Sequence, residues 1–411
     1  MTTAFAPAGS FVQPKPYQAI GQRAYRYDGI DFLRGLIMII MALDHTRDFF
    51  HKYALSDDPL NLQTTTPVLF FTRWITHFCA PTFVFLAGTS IFFQSLRKSK
   101  KELALFLLKR GLWLILVELV IMDFSYSFDI HFRLFALQTI WSIAISMIIL
   151  ALVIWLPFRA ILFIGLLIVL GHNSLDFLEK DPSFKPGWGY DLLHRPGFYH
   201  LWGTHYLFIL YPFLSWAGLM MLGYCFGKLY VNQEARRKKW LLIIGFSAVA
   251  LFIILRLLDK YGDPLHWSPQ KNSTYTFLSF MNVLKYPPSL LYMLATIGPA
   301  LIFLAFTDKL RNGFTRFVTV YGRVPFFYYI LHFFLIHIFS AIAYLMRGHT
   351  FQEGSQPQKD LLIPQFIKPG EGYSLGLVYL IWIGIVLLLY PLCKWFANYK
   401  QKHKDWWLSY L

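Results

Sequence analysis

Long apolar runs separated by basic connections limit what this chain can fold into. A helix needs roughly 20 apolar residues to cross about 30 Å of hydrocarbon. In that medium only helices and closed barrels satisfy their own backbone polar groups. Candidate spans lie near 29–46, 68–96, 103–122, 134–156, 158–172, 206–227, 240–258, 287–306, 324–346 and 375–396. The fifth is short enough to tilt or re-enter. The expected fold class is all-α: a polytopic transmembrane helical bundle of about ten spans, with N- and C-termini cytoplasmic. Residues 1–28 form a cytoplasmic segment, 29–396 the membrane domain, and 397–411 a basic, aromatic cytoplasmic tail.

Composition excludes the soluble alternatives. Charged residues make up 15% of the 411, whereas a soluble globular chain carries about 25%. Apolar residues make up 56% and aromatics 19%, the opposite of a disordered chain. The formal net charge of +16 invites a nucleic-acid reading until the charges are placed. With the N-terminus in the cytoplasm, cytoplasmic segments and span ends hold 23 Lys/Arg and the opposite side 12. Arg34, Arg73 and Arg256 lie inside spans and complete the 38. That asymmetry is the positive-inside rule, so no nucleic-acid partner is expected and the lipid bilayer is.

Residues 1–28 lack the apolar core and small-residue cleavage site of a signal peptide, so the first span is expected to be retained. Cys79, Cys225 and Cys393 fall singly in three spans. They suggest packing, with no disulfide framework and no metal cluster. No internal repeat is evident. Connections 173–205, 259–286 and 347–374, on the non-cytoplasmic side, exceed the length at which a loop is usually functional or disordered. Rich in Gly, Pro or aromatic residues, they suit an ordered cap that could hold a polar substrate.

The first span carries the sharpest chemical signal, with Asp31, Arg34, Asp44, His45, Arg47 and Asp48 in an otherwise apolar run. A charge at the centre of a spanning helix costs roughly 2.5–3.5 kcal/mol on insertion scales, which makes it a functional candidate. Asp31 and Arg34, three apart, can pair on one face. Arg34 and His45 are separated by about three turns, hence nearly one face and roughly 16 Å along the axis. The structural alternative is that Arg34 snorkels or pairs with Asp31 while His45 merely ends the helix. Asp44 can raise and orient the imidazole, but neighbours on a helix point about 100° apart, so Asp44 also suits a partner on another span.

Other polar residues share the outer depth. Arg73 and His77 are four apart; Glu118 lies near Asp123; Gln138, Trp141 and Ser142 follow in the fourth span; His205 opens the sixth. Towards the cytoplasm, Arg323 precedes Pro325, and Tyr328 and His332 share a face, with His337 well round the helix. Gly223 and Gly227 read as close helix packing. A P-loop, zinc-spaced His/Glu pairs, a GxSxG elbow and a GxGxxG turn are all missing, which removes ATP-driven transport by this chain and the common hydrolases.

Arg34 followed by ten residues and His45, in the context Ile30-Asp31-Phe32-Leu33-Arg34-Gly35, resembles the membrane-embedded acyltransferases of cell-surface sugars. The run from His77 through Pro81 and Gly88 to Ser90 resembles the heparan-α-glucosaminide N-acetyltransferase family, specifically its bacterial branch. So do Leu43 to Phe50, Phe71 to His77, Gly322 to Pro325, Leu389 to Cys393 and the terminal Trp406 to Leu411. The resemblance spans nearly the whole chain. It implies transfer of acetyl from acetyl-CoA, a co-substrate needing no metal, to an amino sugar or hydroxyl of a glycan. It also implies a multi-pass protein of the bacterial inner (plasma) membrane, with a homodimer left open. One departure matters: the lysosomal enzyme has Asn where His45 aligns, and its catalytic His lies further along the first outer loop, where this chain has His51 and Pro67.

The leading reading is therefore an integral-membrane acyltransferase. His45 is the expected general base or transient acyl carrier and Asp44 its orienter, with His51 and His77 as rivals for the catalytic role. Arg34, Arg323 and His332 are expected towards CoA, and Arg73, Glu118, Gln138, Trp141, His51 and His205 towards the acceptor. The alternatives are a proton-coupled transporter or flippase for a solute or lipid-linked sugar, and a non-catalytic partner in envelope assembly.

Overall fold

The computed structural model describes residues 27–231, 233–307, 310–356 and 360–409. Most of the expected N-terminal segment, residues 1–26, and the last two residues of the tail lie outside them. The main helices are α1 (Asp28–Phe50), α2 (Pro67–Ser95), α3 (Lys100–Leu116), α4 (Thr139–Val153), α5 (Phe158–Gly171) and α6 (Leu214–Phe226). They continue as α7 (Glu234–Leu258), α8 (Leu290–Thr307), α9 (Gly313–Arg323), α10 (Pro325–Met346) and α11 (Leu375–Lys402). Each of the ten apolar segments contains one of these helices. Among the described residues, six helical stretches are long and apolar enough to cross a bilayer: α2, α5 extended to Glu179, α7, α8, α10 and α11. The protein is thus mostly helical and multi-pass. α1, with its row of charges, is not among the six.

Local chemistry sets the helix ends. Thr66 accepts from the Leu69 amide and Pro67 occupies the first turn of α2, where its missing N–H costs nothing. Ser99 and Glu102 form a capping box at α3, as do Asn312 and Thr315 at α9. Val324 separates α9 from α10, which starts at Pro325. The sides of α7 and α11 that face away from the bundle carry Ile253, Ile254, Leu257, Leu380, Leu387 and Leu388, all exposed, as lipid contact requires.

Loops gather at one end of the bundle. There His51 bridges to Tyr373, the Gln365 amide donates to the Ser127 carbonyl, and the Tyr275 hydroxyl to the Thr65 carbonyl. At the opposite, basic end, Lys100 donates to the Trp155 carbonyl, Tyr27 to the Tyr230 carbonyl, and Arg311 pairs with Asp28. The loop-rich end also holds a small three-stranded sheet in the order β1 (Leu134–Leu137), β3 (His205–Ile209), β2 (Gly197–Trp202). β1 pairs parallel and β2 antiparallel to β3. β1 and β3 are therefore the leading ends of two segments expected to be helical throughout, which adds a small sheet to the all-α expectation.

Glycines let the helices meet backbone to backbone. A methyl group on Gly88 would fall on the Met220 carbonyl oxygen, and one on Gly223 on that of Phe85, so α2 and α6 cross there. Gly35 of α1 and Gly322 of α9 make the second such contact: each would drive a methyl into a carbonyl of the other helix. Arg256 is fully buried in α7, yet it is not among the residues that line the cavity beside α1. It donates to the carbonyl oxygens of Leu265, Ser279, Phe280 and Asn282. This cation pins the 259–289 connection to the bundle.

Candidate functional site

α1 runs beside an internal cavity of about 490 Å³. Arg34, Met38, Met41, Asp44, His45 and Asp48 all line it, which is one face of a helix over about 21 Å. The cavity therefore has two ends of different chemistry joined by an apolar stretch that also includes Phe83, Ile91 and Leu107.

At the basic end, the Gly35–Gly322 contact brings α9 against α1, so the next residues on each, Arg34 and Arg323, line the same wall. The expected Asp31–Arg34 pair forms at 3.1 Å. Arg34 also donates to the Gly322 carbonyl at 3.3 Å and the Ser90 hydroxyl at 3.2 Å. Arg110 and Lys400 line the same cavity. Cations lining a cavity suit a phosphate-bearing ligand.

At the loop-rich end, Asp44 is the hub of a charge cluster drawn from three segments. Arg73 of α2 donates to it at 2.6 Å, Arg47 lies at 3.0 Å, and Lys285 at 3.9 Å. Arg47 also pairs with Asp48, so three cations surround two carboxylates. Tyr286 faces Tyr211 with ring centroids 5.2 Å apart, and both line the cavity beside Lys285. His45 occupies the same end, its ring 4.0 Å from that of Phe333 and 5.3 Å from that of His332. Asp44 thus pairs along α1 with Arg47 and across to α2 with Arg73, and the second is the partner on another span that the sequence left open.

Of the residues expected in a site, His45, Asp44, Arg34, Arg323, Arg73 and Gln138 line this one cavity. The others are placed elsewhere. His332 backs His45 from behind, buried, its Nδ1 3.1 Å from the Tyr328 carbonyl oxygen. His77 does not share a face with Arg73, because a 3-10 turn at Ile75–Phe78 interrupts α2 between them. Three residues per turn rotate the side chain away from an α-helical i+4 position. His77 is buried against Tyr292, whose hydroxyl donates to the His77 carbonyl. Glu118 sits on a π-helical segment, Val117–Met122, and accepts the Gln138 and Trp141 amides at 3.0 and 3.2 Å. It satisfies the start of α4, where Gln138 supplies no side-chain cap. Trp141 packs outside the cavity lining.

His51 follows α1 in the loop, its Nδ1 accepting from the Tyr53 amide at 3.4 Å. Burial, then the neighbouring Arg47 and Lys52 cations, push its pKa below the ordinary histidine value. His205 lies on β3, its Nε2 3.2 Å from the His131 carbonyl oxygen. Neither lines the cavity.

Lys285, Tyr286, Tyr211, Arg110 and Lys400 are cavity residues that sequence reasoning did not single out. Only two carried a usable signal. Lys285 is a lysine immediately before an apolar run on the lysine-poor side, and Arg110 is a cation about two turns inside a span.

A comparison with curated protein sequences yields no match. A family model does match: heparan-alpha-glucosaminide N-acetyltransferase, catalytic, over residues 26–256. The match covers more than half of the chain and takes in α1 to α7, with the Arg34-to-Asp48 face and Arg73. Lys285, Arg323 and the His332–Phe333 backing of His45 come from beyond it. A multi-pass bundle with a charged first helix along a two-ended cavity is the setting of that match, and the chain belongs to the heparan-α-glucosaminide N-acetyltransferase catalytic-domain family.

Proposed function

We propose that the protein moves an acetyl (acyl) group from cytosolic acetyl-CoA to an amino sugar or hydroxyl acceptor on the far side of a bacterial inner membrane. The observation that carries this reading is the cavity whose two ends present what the two half-reactions need. In this reading the basic end faces the cytosol. Arg34 and Arg323, with Arg110 and Lys400, meet the CoA phosphates, the cations being suited to phosphate oxygens. The apolar stretch past Met38 and Met41 holds the pantetheine arm, and the roughly 16 Å from Arg34 to His45 brings the thioester to the loop-rich end.

There the acceptor nitrogen or oxygen attacks the thioester carbonyl carbon. His45 takes the proton that the nucleophile loses, the C–S bond breaks, and the proton goes to the departing CoA sulfur. An imidazole in this role typically contributes 10²–10⁴-fold. Arg73 and Lys285 place positive charge where the carbonyl oxygen becomes negative, the kind of fixed electrostatic help that acyl transfer uses most. Asp44 holds those cations in place. The connections 173–205, 259–286 and 347–374 then form the mouth through which the acceptor arrives.

The test is calorimetric titration of acetyl-CoA into purified protein in nanodiscs. Saturable binding, weakened by Arg34→Ala and retained by His45→Ala, is the expected result. Absence of binding by the folded wild-type protein overturns the reading.

A further inference from the structure

A second cluster of chemistry-bearing side chains lies at the loop-rich end, outside the cavity. Beyond α5 the chain passes through a 3-10 turn into the short helix Leu175–Glu179, which places Asp176 and Glu179 three apart and therefore on one face. His194 follows the helix Trp188–Leu193 and folds back on them. One potential ligand atom from each of the three lies within 4.8 Å of the others.

Neighbouring donors fix the carboxylates of this trio. The Tyr190 hydroxyl donates to Glu179 Oε1 at 2.8 Å, and the Asn173 amide donates to Asp176 Oδ2 at 2.7 Å. Each carboxylate is thus oriented through one oxygen, as ligating carboxylates usually are. His194 Nδ1 is 2.7 Å from Glu179 Oε1, while its Nε2 is buried and has no hydrogen-bond partner among the described residues. Its side chain is 1% exposed. His194 Nδ1, which faces Glu179, is therefore the nitrogen that can share an ion with the two carboxylates.

We propose that Asp176, Glu179 and His194 bind one divalent transition-metal ion of the zinc type. Two carboxylates and one neutral imidazole balance a doubly charged ion, and the nitrogen donor favours zinc over calcium or magnesium, which take oxygen ligands. Three protein ligands leave a fourth tetrahedral position for water. The site's place in the fold assigns it a structural task. Asn173, which orients Asp176, also accepts the Leu290 amide at the start of α8 through its Oδ1. The ion therefore clamps the 173–205 connection onto the meeting point of α5 and α8.

The experiment uses full-length protein in nanodiscs, stripped with EDTA and titrated with Zn²⁺, Ca²⁺ or Mg²⁺, with thermal unfolding followed in parallel. One Zn²⁺ per chain and a raised unfolding temperature are expected, with no comparable response to Ca²⁺ or Mg²⁺. Asp176→Asn and Glu179→Gln, which keep the side-chain size, should each weaken Zn²⁺ binding at least ~10-fold. The proposal is overturned by any of three results: no saturable Zn²⁺ binding by folded wild type, affinity unchanged in both variants, or Ca²⁺ binding as tight as Zn²⁺.

Discussion

Arg73 donates to Asp44 at 2.6 Å, joining α2 to α1 beside the cavity. Arg47 and Lys285 approach the same carboxylate. Removing one partner of a buried ion pair leaves uncompensated charge and costs ~3–5 kcal/mol, whereas replacing both with apolar residues can be neutral. Asp44→Asn should therefore lower thermal stability sharply. The double variant Asp44→Leu, Arg73→Met should recover much of that stability while remaining inactive. Thermal unfolding in detergent together with an acetyl-transfer assay checks both halves.

The contact between Gly35 and Gly322 sets the spacing of Arg34 and Arg323. A methyl group on Gly322 would fall on the Asp31 carbonyl oxygen, backbone that has no room to yield. Overpacking of this kind costs about 1–3 kcal/mol. Gly322→Ala should weaken acetyl-CoA binding, read by calorimetry, more than Gly171→Ala, where an added methyl meets nothing within 4 Å.

Arg256 offers the converse case, a charge inside the bundle with no part in the cavity. Its guanidinium serves four backbone carbonyls of the 259–289 connection. Arg256→Met should destabilise the protein by on the order of 3 kcal/mol, since hydrogen bonds to a charged group contribute ~1.5–3 each and buried acceptors are left unpaired. Wild-type affinity for acetyl-CoA in the fraction that folds is the expected accompanying result. A selective loss of affinity instead would place Arg256 at the site.

What the sequence disclosed follows the energetics. Charges inside an apolar run are costly enough to stand out, and helical geometry relates Arg34 to His45 and Asp31, so that face was legible. Lys285 was not, because its partner Asp44 lies 241 positions away and no periodicity links a loop lysine to a helix carboxylate. The spacing of Arg73 and His77 read as one face only because a 3-10 turn between them is invisible in composition. Glu118 has the look of a site carboxylate, yet it accepts from backbone amides at the start of α4, and backbone donors leave no mark in a sequence. β1 and β3 merged with apolar segments for a similar reason: Leu134–Leu137 and His205–Ile209 are too short to display a strand period before a helix begins.

Glu371 supplies a pH dependence outside the membrane-spanning helices. Lys368, at 2.6 Å, and His349, at 2.6 Å, hold its carboxyl down to about 2. An unfolded glutamate titrates near 4.3. The folded state therefore gains stability from Glu371 above that value and loses the gain progressively as pH falls towards 2. The group is largely solvated, so the effect is small and shrinks with salt. The unfolding temperature of wild type should exceed that of Glu371→Gln at pH 6, by a margin that narrows below pH 4 and closes only below about pH 2.

The histidines give the sharpest division. His45 lines the cavity between the Asp44 cluster and the Phe333 ring, whereas His51 lies in the loop bridged to Tyr373 and His77 is buried against Tyr292. If the proton passes through His45, His45→Ala should reduce the acetyl-transfer rate by ~10²–10⁴-fold and leave acetyl-CoA affinity within about two-fold. His51→Ala should keep most of the rate, because its ring does not reach the cavity lining. His77→Ala opens a hole in the packing around Tyr292, so it should lower the unfolding temperature before it lowers the rate of the folded protein. The three variants assayed side by side, each normalised to its acetyl-CoA-binding fraction, separate chemistry from folding. A His51→Ala enzyme as slow as His45→Ala would move the base to the loop that follows α1.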